Sequence, residues 1–131
     1  MQEKPAEFAQ RRGQENDRVL RMADLTTKRF FALDRTTYDG GALPRQTKEL
    51  LGLAASTVLR CNDCIRYHLE QALAAGVTRE AIGEALSVAL VVGGSITIPH
   101  VRFAYTILDT MGGGSGSQSL RPPERYGAEE A

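Results

Sequence analysis

The apolar residues of this chain recur at helical spacing from about residue 17 to residue 111, and no stretch shows the strict alternation of a half-buried strand. Asn16 or Asp17 is placed to cap a first helix, with Val19, Leu20, Ala23, Phe30 and Phe31 as its stripe and Leu33 at its end. Thr36 to Leu43 reads as a loop punctuated by Gly40 and Gly41. Pro44 suits the first turn of a second helix running to about Leu59, whose expected buried side is Leu50, Leu51, Ala54, Ala55, Val58 and Leu59. Gly52 and Ser56 are small enough to let another helix come close, and Glu49 shares their side near the helix start. A third helix begins at the cysteines and ends at Gly76, a suitable C-cap, with Ile65, Leu69, Ala72 and Leu73 as its core face. Thr78 caps a fourth helix that carries Glu80 in its first turn and closes at Gly93-Gly94. Its second half, Ala85 to Val92, is apolar on nearly every side except Ser87, a pattern expected at the centre of a domain or at a subunit interface. A fifth helix covers about Thr97 to Met111, with Pro99 either in its first turn or kinking it, and Ile98, Val101, Ala104, Ile107 and Leu108 inward. The expectation is an all-α chain.

The flanks and totals narrow this further. Residues 1–16 read as a polar arm, residues 17–111 as one helical domain and residues 112–131 as a flexible Gly/Ser-rich tail. At 131 residues the chain is one domain, small enough that oligomerisation is expected to supply part of its stability. Sixteen basic residues balance sixteen acidic ones, which leaves no electrostatic case for binding nucleic acid or an anionic membrane. The run Ala85 to Val92 is too short to span a bilayer, and Met1 to Asn16 lacks the apolar segment of a signal peptide. A cytoplasmic setting is the resulting expectation.

The candidate chemistry lies in Cys61-Asn62-Asp63-Cys64-Ile65-Arg66-Tyr67-His68, which holds both cysteines of the chain and one of its two histidines. Residues three apart on a helix are neighbours, so a disulfide can form across one turn, and His68 stands four residues beyond Cys64. A base beside a thiol favours the reactive thiolate. Cys61, at the helix start, gains from the unpaired N–H groups there, whereas the charge of Asp63 opposes a thiolate. In a reducing compartment such a pair is more often catalytic or metal-binding than a structural staple. A zinc site would need Cys61, Cys64, His68 and, as fourth ligand, His100, without the second close-spaced pair such sites usually bring, and no metal or other cofactor is expected. His100, after Pro99, reads as structural or interfacial. Tyr67 lines the pocket or packs, and Glu49 alone would pass for a first-turn glutamate favoured by the helix dipole.

One spacing joins these pieces. Glu49, Cys61, Cys64 and His68 together resemble the E-x11-C-x-x-C-x3-H signature of the AhpD-like, or carboxymuconolactone decarboxylase-like, family. The flanks Asp39-Gly40-Gly41-Ala42-Leu43, Lys48-Glu49-Leu50, Ala74-Ala75-Gly76-Val77-Thr78 and Gly93-Gly94-Ser95 resemble it too, so the likeness covers roughly residues 20–110. It implies a compact bundle of five to six helices that assembles as a homotrimer or homohexamer. It also implies thiol peroxidase or disulfide oxidoreductase chemistry, with a peroxide or disulfide as substrate and a dithiol or thioredoxin-like protein as reductant. In the redox branch Glu49 would assist His68, often through water, His68 would take a proton from a cysteine, and the cysteines would cycle between dithiol and disulfide. The family assignment makes Cys64 the attacking thiol and Cys61 the resolving one. Two alternatives remain open: a redox-sensing or metal-binding module, and a non-redox lyase of the decarboxylase branch, which lacks this cysteine pair.

Overall fold

A computed structural model describes residues 2–111, so the tail expected at 112–131 lies outside the described residues. The described chain is all-helical, with no strand: α1 Pro5–Met22, α2 Leu25–Thr37, α3 Arg45–Val58, α4 Asn62–Ala74, α5 Arg79–Gly93, a short 3-10 turn Ser95–Thr97, and α6 Ile98–Thr110. Helix α3 packs most closely on α4 and α5, and α6 closes over α4. Leu53, Ile65, Leu69, Ile82, Leu86, Ala104 and Ile107 fill the space between them, each at most 1% exposed. Burying one such leucine or isoleucine side chain stabilises by about 1.5–3 kcal/mol. Arg79 ties the far end of α6, donating from its guanidinium to the carbonyls of Leu108 and Met111.

Two junctions share one hydrogen-bond pattern. At the end of α3, Cys61 N–H donates to Ser56 O at 3.0 Å and Arg60 N–H to Thr57 O at 3.1 Å. At the end of α4, Val77 N–H donates to Ala72 O at 2.9 Å and Gly76 N–H to Leu73 O at 3.0 Å. Both are Schellman caps, in which the residue after the C-cap turns left-handed to satisfy the last carbonyls. That residue is Gly76 in one (φ 86°) and Arg60 in the other (φ 61°). The second cap delivers Cys61 straight to the N-cap of α4. Thr78 then caps α5 as expected, its hydroxyl accepting from Ala81 N–H at 3.1 Å.

Three expectations need correction. The first helix begins at Pro5, not near Asn16, and a separate helix begins at Leu25. Pro5 sits at the first helical turn, Glu7 reaches back to the Lys4 N–H, and Phe8, only 2% exposed, anchors the helix on the body. Asp24 breaks the two helices apart by accepting Thr27 N–H at 3.0 Å. The expected stripe is consequently open, with Leu20 half-buried to exposed and Phe30 and Leu33 well exposed. Second, α3 turns Glu49, Leu53, Ser56 and Thr57 inward and leaves Leu51 and Leu59 exposed, so its buried side is not the expected one. Third, α5 buries Leu86 and Ala89 but exposes Val88, Val91 and Val92, which removes the domain centre from the two places expected for that half-helix and leaves a subunit interface.

Candidate functional site

The site is built on α3 and α4. Glu49 is in the second turn of α3 and fully buried, and its Oε2 lies 2.9 Å from Nδ1 of His68, itself buried on α4. A buried carboxylate is stable only when paired and hydrogen-bonded. A carboxylate oxygen can only accept, so Nδ1 is the donor of this bond, and in the neutral form of the ring the lone pair is then at Nε2. The other oxygen, Oε1, lies 3.6 Å from Arg45 Nη2, an ion-pair distance, and has no hydrogen-bond partner among the described residues. Arg45 is steadied by Gln71, whose Oε1 accepts from the same Nη2 at 3.2 Å.

Gly52 makes the approach of His68 possible. A Cβ at Gly52 would stand 2.5 Å from His68 Cε1, 2.7 Å from Nε2 and 2.8 Å from Nδ1. Those distances are inside van der Waals contact, so the imidazole lies directly against the α3 backbone. The small residue expected to admit a neighbouring helix thus admits one particular ring.

Cys61 and Cys64 are joined as a disulfide, with their Cα atoms 5.3 Å apart. Both are half-buried at the start of α4, and Cys61 Sγ accepts the Cys64 N–H at 3.3 Å. Cys61 therefore receives the helix N-terminal donor. His68 follows Cys64 by one helical turn on the same face. The structure thus brings Glu49 to His68 and Cys61 to Cys64, while no hydrogen bond joins His68 to either sulfur among the described residues. Nor does any group of three His, Cys, Asp or Glu side chains among them converge as a metal site.

The neighbour of His68 Nε2 is Tyr38, which sequence reasoning missed. Its hydroxyl lies 3.5 Å from Nε2, and the two rings stand 5.2 Å apart. Burial, reinforced by the charges of Asp34 and Glu49, raises the Tyr38 pKa, so the phenol stays protonated and is the donor. Tyr38 sits in the loop after α2, and no motif links it to His68. Tyr67 packs edge-on against His68 at 5.2 Å, and Arg12 of α1 lies over the Tyr67 ring with its guanidinium 4.0 Å from the ring centre.

Helix α1 holds the same region from outside. Arg66, 7% exposed, donates to Glu3 O at 2.9 Å and Gln2 Oε1 at 3.0 Å and stacks on Phe8 and Phe103. Arg11 bonds Glu3 at 2.9 Å, which holds the Glu3 carboxyl below its usual range, and reaches Asp63 at 3.9 Å. From α6, His100 Nδ1 lies 2.8 Å from Asn62 Oδ1. The two residues between the cysteines are each touched by a distant element.

Comparison with known proteins agrees with this architecture. The crystal structure of TM1620 from Thermotoga maritima superposes with a TM-score of 0.77 at 55% identity, over 78% of this chain and 90% of that one. A Legionella pneumophila carboxymuconolactone decarboxylase family protein, lpg0406, shares the fold with a TM-score of 0.73 at 22% identity, over 80% of this chain and 94% of its own. A Paracoccus denitrificans protein named uncharacterized protein 4 in cox locus is 34% identical over 84 residues, 64% of this chain and 76% of its own. The model of the carboxymuconolactone decarboxylase family matches residues 24–106, from the α2 cap through most of α6, with the glutamate, both cysteines and the histidine inside that span. The chain belongs to the carboxymuconolactone decarboxylase family.

Proposed function

We propose that this protein is a thiol-dependent peroxidase and disulfide oxidoreductase of the AhpD-like type. The observation that carries this reading is the buried Glu49 carboxylate holding His68 Nδ1 at 2.9 Å, one helical turn from a cysteine pair already at disulfide distance. A carboxylate that orients the ring through Nδ1 and an Nε2 able to take up a proton, with only the Tyr38 hydroxyl beside it at 3.5 Å, are the parts of a general base. The Thermotoga maritima relative is itself described with a suggested part in the antioxidative response.

In this scheme His68 accepts the proton of Cys64, directly or through water, and Glu49 stabilises the imidazolium. The Cys64 thiolate attacks the distal oxygen of a hydroperoxide, an S–O bond forms as the O–O bond breaks, and the alkoxide takes up a proton to leave as the alcohol. The Cys61 thiol then displaces water from the sulfenic acid, giving the Cys61–Cys64 disulfide. An external dithiol or thioredoxin-like protein attacks Cys64, and Cys61 leaves as thiolate. The Cys64 N–H that Cys61 accepts favours that direction, because a backbone donor at the sulfur stabilises the departing thiolate. The reductant's second thiolate then releases Cys64, so the enzyme regains two thiols and the reductant becomes a disulfide.

The exposed Val88 and Val92 line an apolar groove of about 310 Å³ together with Ala54, Ala55, Val58, Leu59 and Ala89, which supports homo-oligomeric assembly through this face. No helix among the described residues is long and apolar enough to cross a membrane. A cytoplasm, rich in dithiol reductants, suits the cycle.

The test is an intact mass and free-thiol count on the reduced protein, before and after one equivalent of an alkyl hydroperoxide. A loss of about 2 Da and of both thiols, reversed by dihydrolipoamide, is expected. Thiols that persist through the treatment would refute the peroxidase and turn attention to lyase substrates.

A further inference from the structure

We infer that His100, outside the Glu49–His68 pair, is a positioning residue that sets the reduction potential of the Cys61–Cys64 couple through Asn62; this rests on the redox reading above. His100 stands in the first turn of α6, and its Nδ1 lies 2.8 Å from Asn62 Oδ1. Oδ1 is an acceptor, so the imidazole donates. Asn62 is the first residue of α4 and follows the N-cap Cys61.

The α6 end of this tie is rigid. Thr97, fully buried, donates its hydroxyl to Gly94 O at 2.7 Å, Pro99 fixes the next turn, and Ala104 and Ile107 are locked in the core. His100 therefore projects from a fixed base onto the turn between the cysteines. The contact spans 38 residues of sequence, and its target lies inside the redox motif. Asp63, the other intervening residue, offers a contrast. Both intervening residues are exposed, but Asp63 meets its partner Arg11 only at 3.9 Å, a pair of the weak surface kind, whereas Asn62 is held at a full hydrogen-bond distance.

The direction of the effect follows from which redox state holds the tie better. The hydrogen bond is fully made in the disulfide form. In the dithiol the S–S constraint is gone, and the α4 cap can loosen around Asn62, which weakens the tie. A contact stronger in one of two states shifts the equilibrium toward that state. His100 therefore favours the disulfide and makes the couple more reducing.

The experiment equilibrates the full-length protein with mixtures of reduced and oxidised glutathione. The balanced exchange turns one protein dithiol and one glutathione disulfide into one protein disulfide and two glutathiones, and the thiols are counted by alkylation. His100→Ala should weaken disulfide formation about fivefold, the size of one ordinary hydrogen bond, which for a two-electron couple raises the potential by about 20 mV. Asn62→Ala should do the same, and the double variant should match either single one rather than their sum. His100→Asn, whose amide N–H falls near the position of Nδ1, should return the potential toward that of the wild type. An unchanged potential in Asn62→Ala or in soluble, folded His100→Ala, or additive shifts in the double variant, would overturn the role of His100 alone. A wild-type protein whose thiols never pair across the glutathione range would instead overturn the redox reading, and this inference with it.

Discussion

The ends of α3 and α4 are the same Schellman turn built with different residues. Gly76 takes the left-handed position at the end of α4 without strain, whereas Arg60 takes it at the end of α3 with a Cβ that disfavours it by about 1–2 kcal/mol. The turn at Gly76 leads to an ordinary threonine cap, and the turn at Arg60 leads directly to Cys61. The backbone takes the disfavoured conformation where it sets up the cysteine pair, and the comfortable one where it only reverses direction. Strained left-handed residues collect at functional sites because the surrounding structure can hold them there. Here the holding is visible: Cys61 N–H on Ser56 O, the Cys64 N–H on Cys61 Sγ, and His100 on Asn62.

The largest expected effect comes from a glycine needed for space rather than conformation. Gly52→Ala would drive a methyl into the His68 ring, so a loss of about 1–3 kcal/mol is expected, exceeding the helix-propensity gain of at most about 1 kcal/mol. Because the ring must move off Glu49, peroxide-dependent disulfide formation should slow about a hundredfold, and stopped-flow thiol oxidation beside thermal melts reads both effects. Glycine for conformation comes next. Gly76→Ala should lose about 1–2 kcal/mol in denaturant melts while leaving the oxidation rate unchanged, since that turn holds no site residue. The converse, Arg60→Gly, should gain up to about 1 kcal/mol, reduced by the greater freedom of glycine in the unfolded chain. Equal responses at positions 60 and 76 would erase the contrast between the two turns. The smallest effect belongs to the third junction. Asp24 has its carboxyl held below the ordinary aspartate value of 3.8, first by the backbone N–H of Thr27. A lowered pKa contributes stability above that value and loses it as the pH falls through the folded pKa. The melting-temperature gap between wild type and Asp24→Ala should therefore be wider at pH 7 than at pH 3.

Helices α3 to α6 were legible because their ends are punctuated by Pro44, Gly76, Thr78 and Gly93-Gly94, all of which the fold uses at or beside a helix boundary. The N-terminal helices were not. Helix α1 shows one buried apolar residue, Phe8, and is otherwise held by Arg11 and Arg12 reaching to Asp63 and Tyr67 and by Arg66 of α4 reaching back to Glu3, contacts without a period in sequence. The inward side of α3 escaped because it is polar: the Glu49–His68 pair and the hydroxyl of Thr57, which donates to Leu53 O, satisfy what hydropathy would put outside. The apolar Leu59 and Val92 lie instead on the α5 groove. Of the site, Cys61, Cys64 and His68 stand out by their spacing, and Glu49 is picked out only by the family signature that the four residues resemble. Tyr38 and the tie from His100 to Asn62 arise only when distant segments fold together.

The most direct test of the central claim, that Glu49 and His68 supply the base for the cysteine couple, is the rate of hydroperoxide-driven disulfide formation against pH in wild type and His68→Gln. The wild type should react near neutral pH, and His68→Gln only as the pH approaches the free-thiol value near ~8.5. Two profiles that superpose would show that the thiol ionises without His68 and would contradict the account.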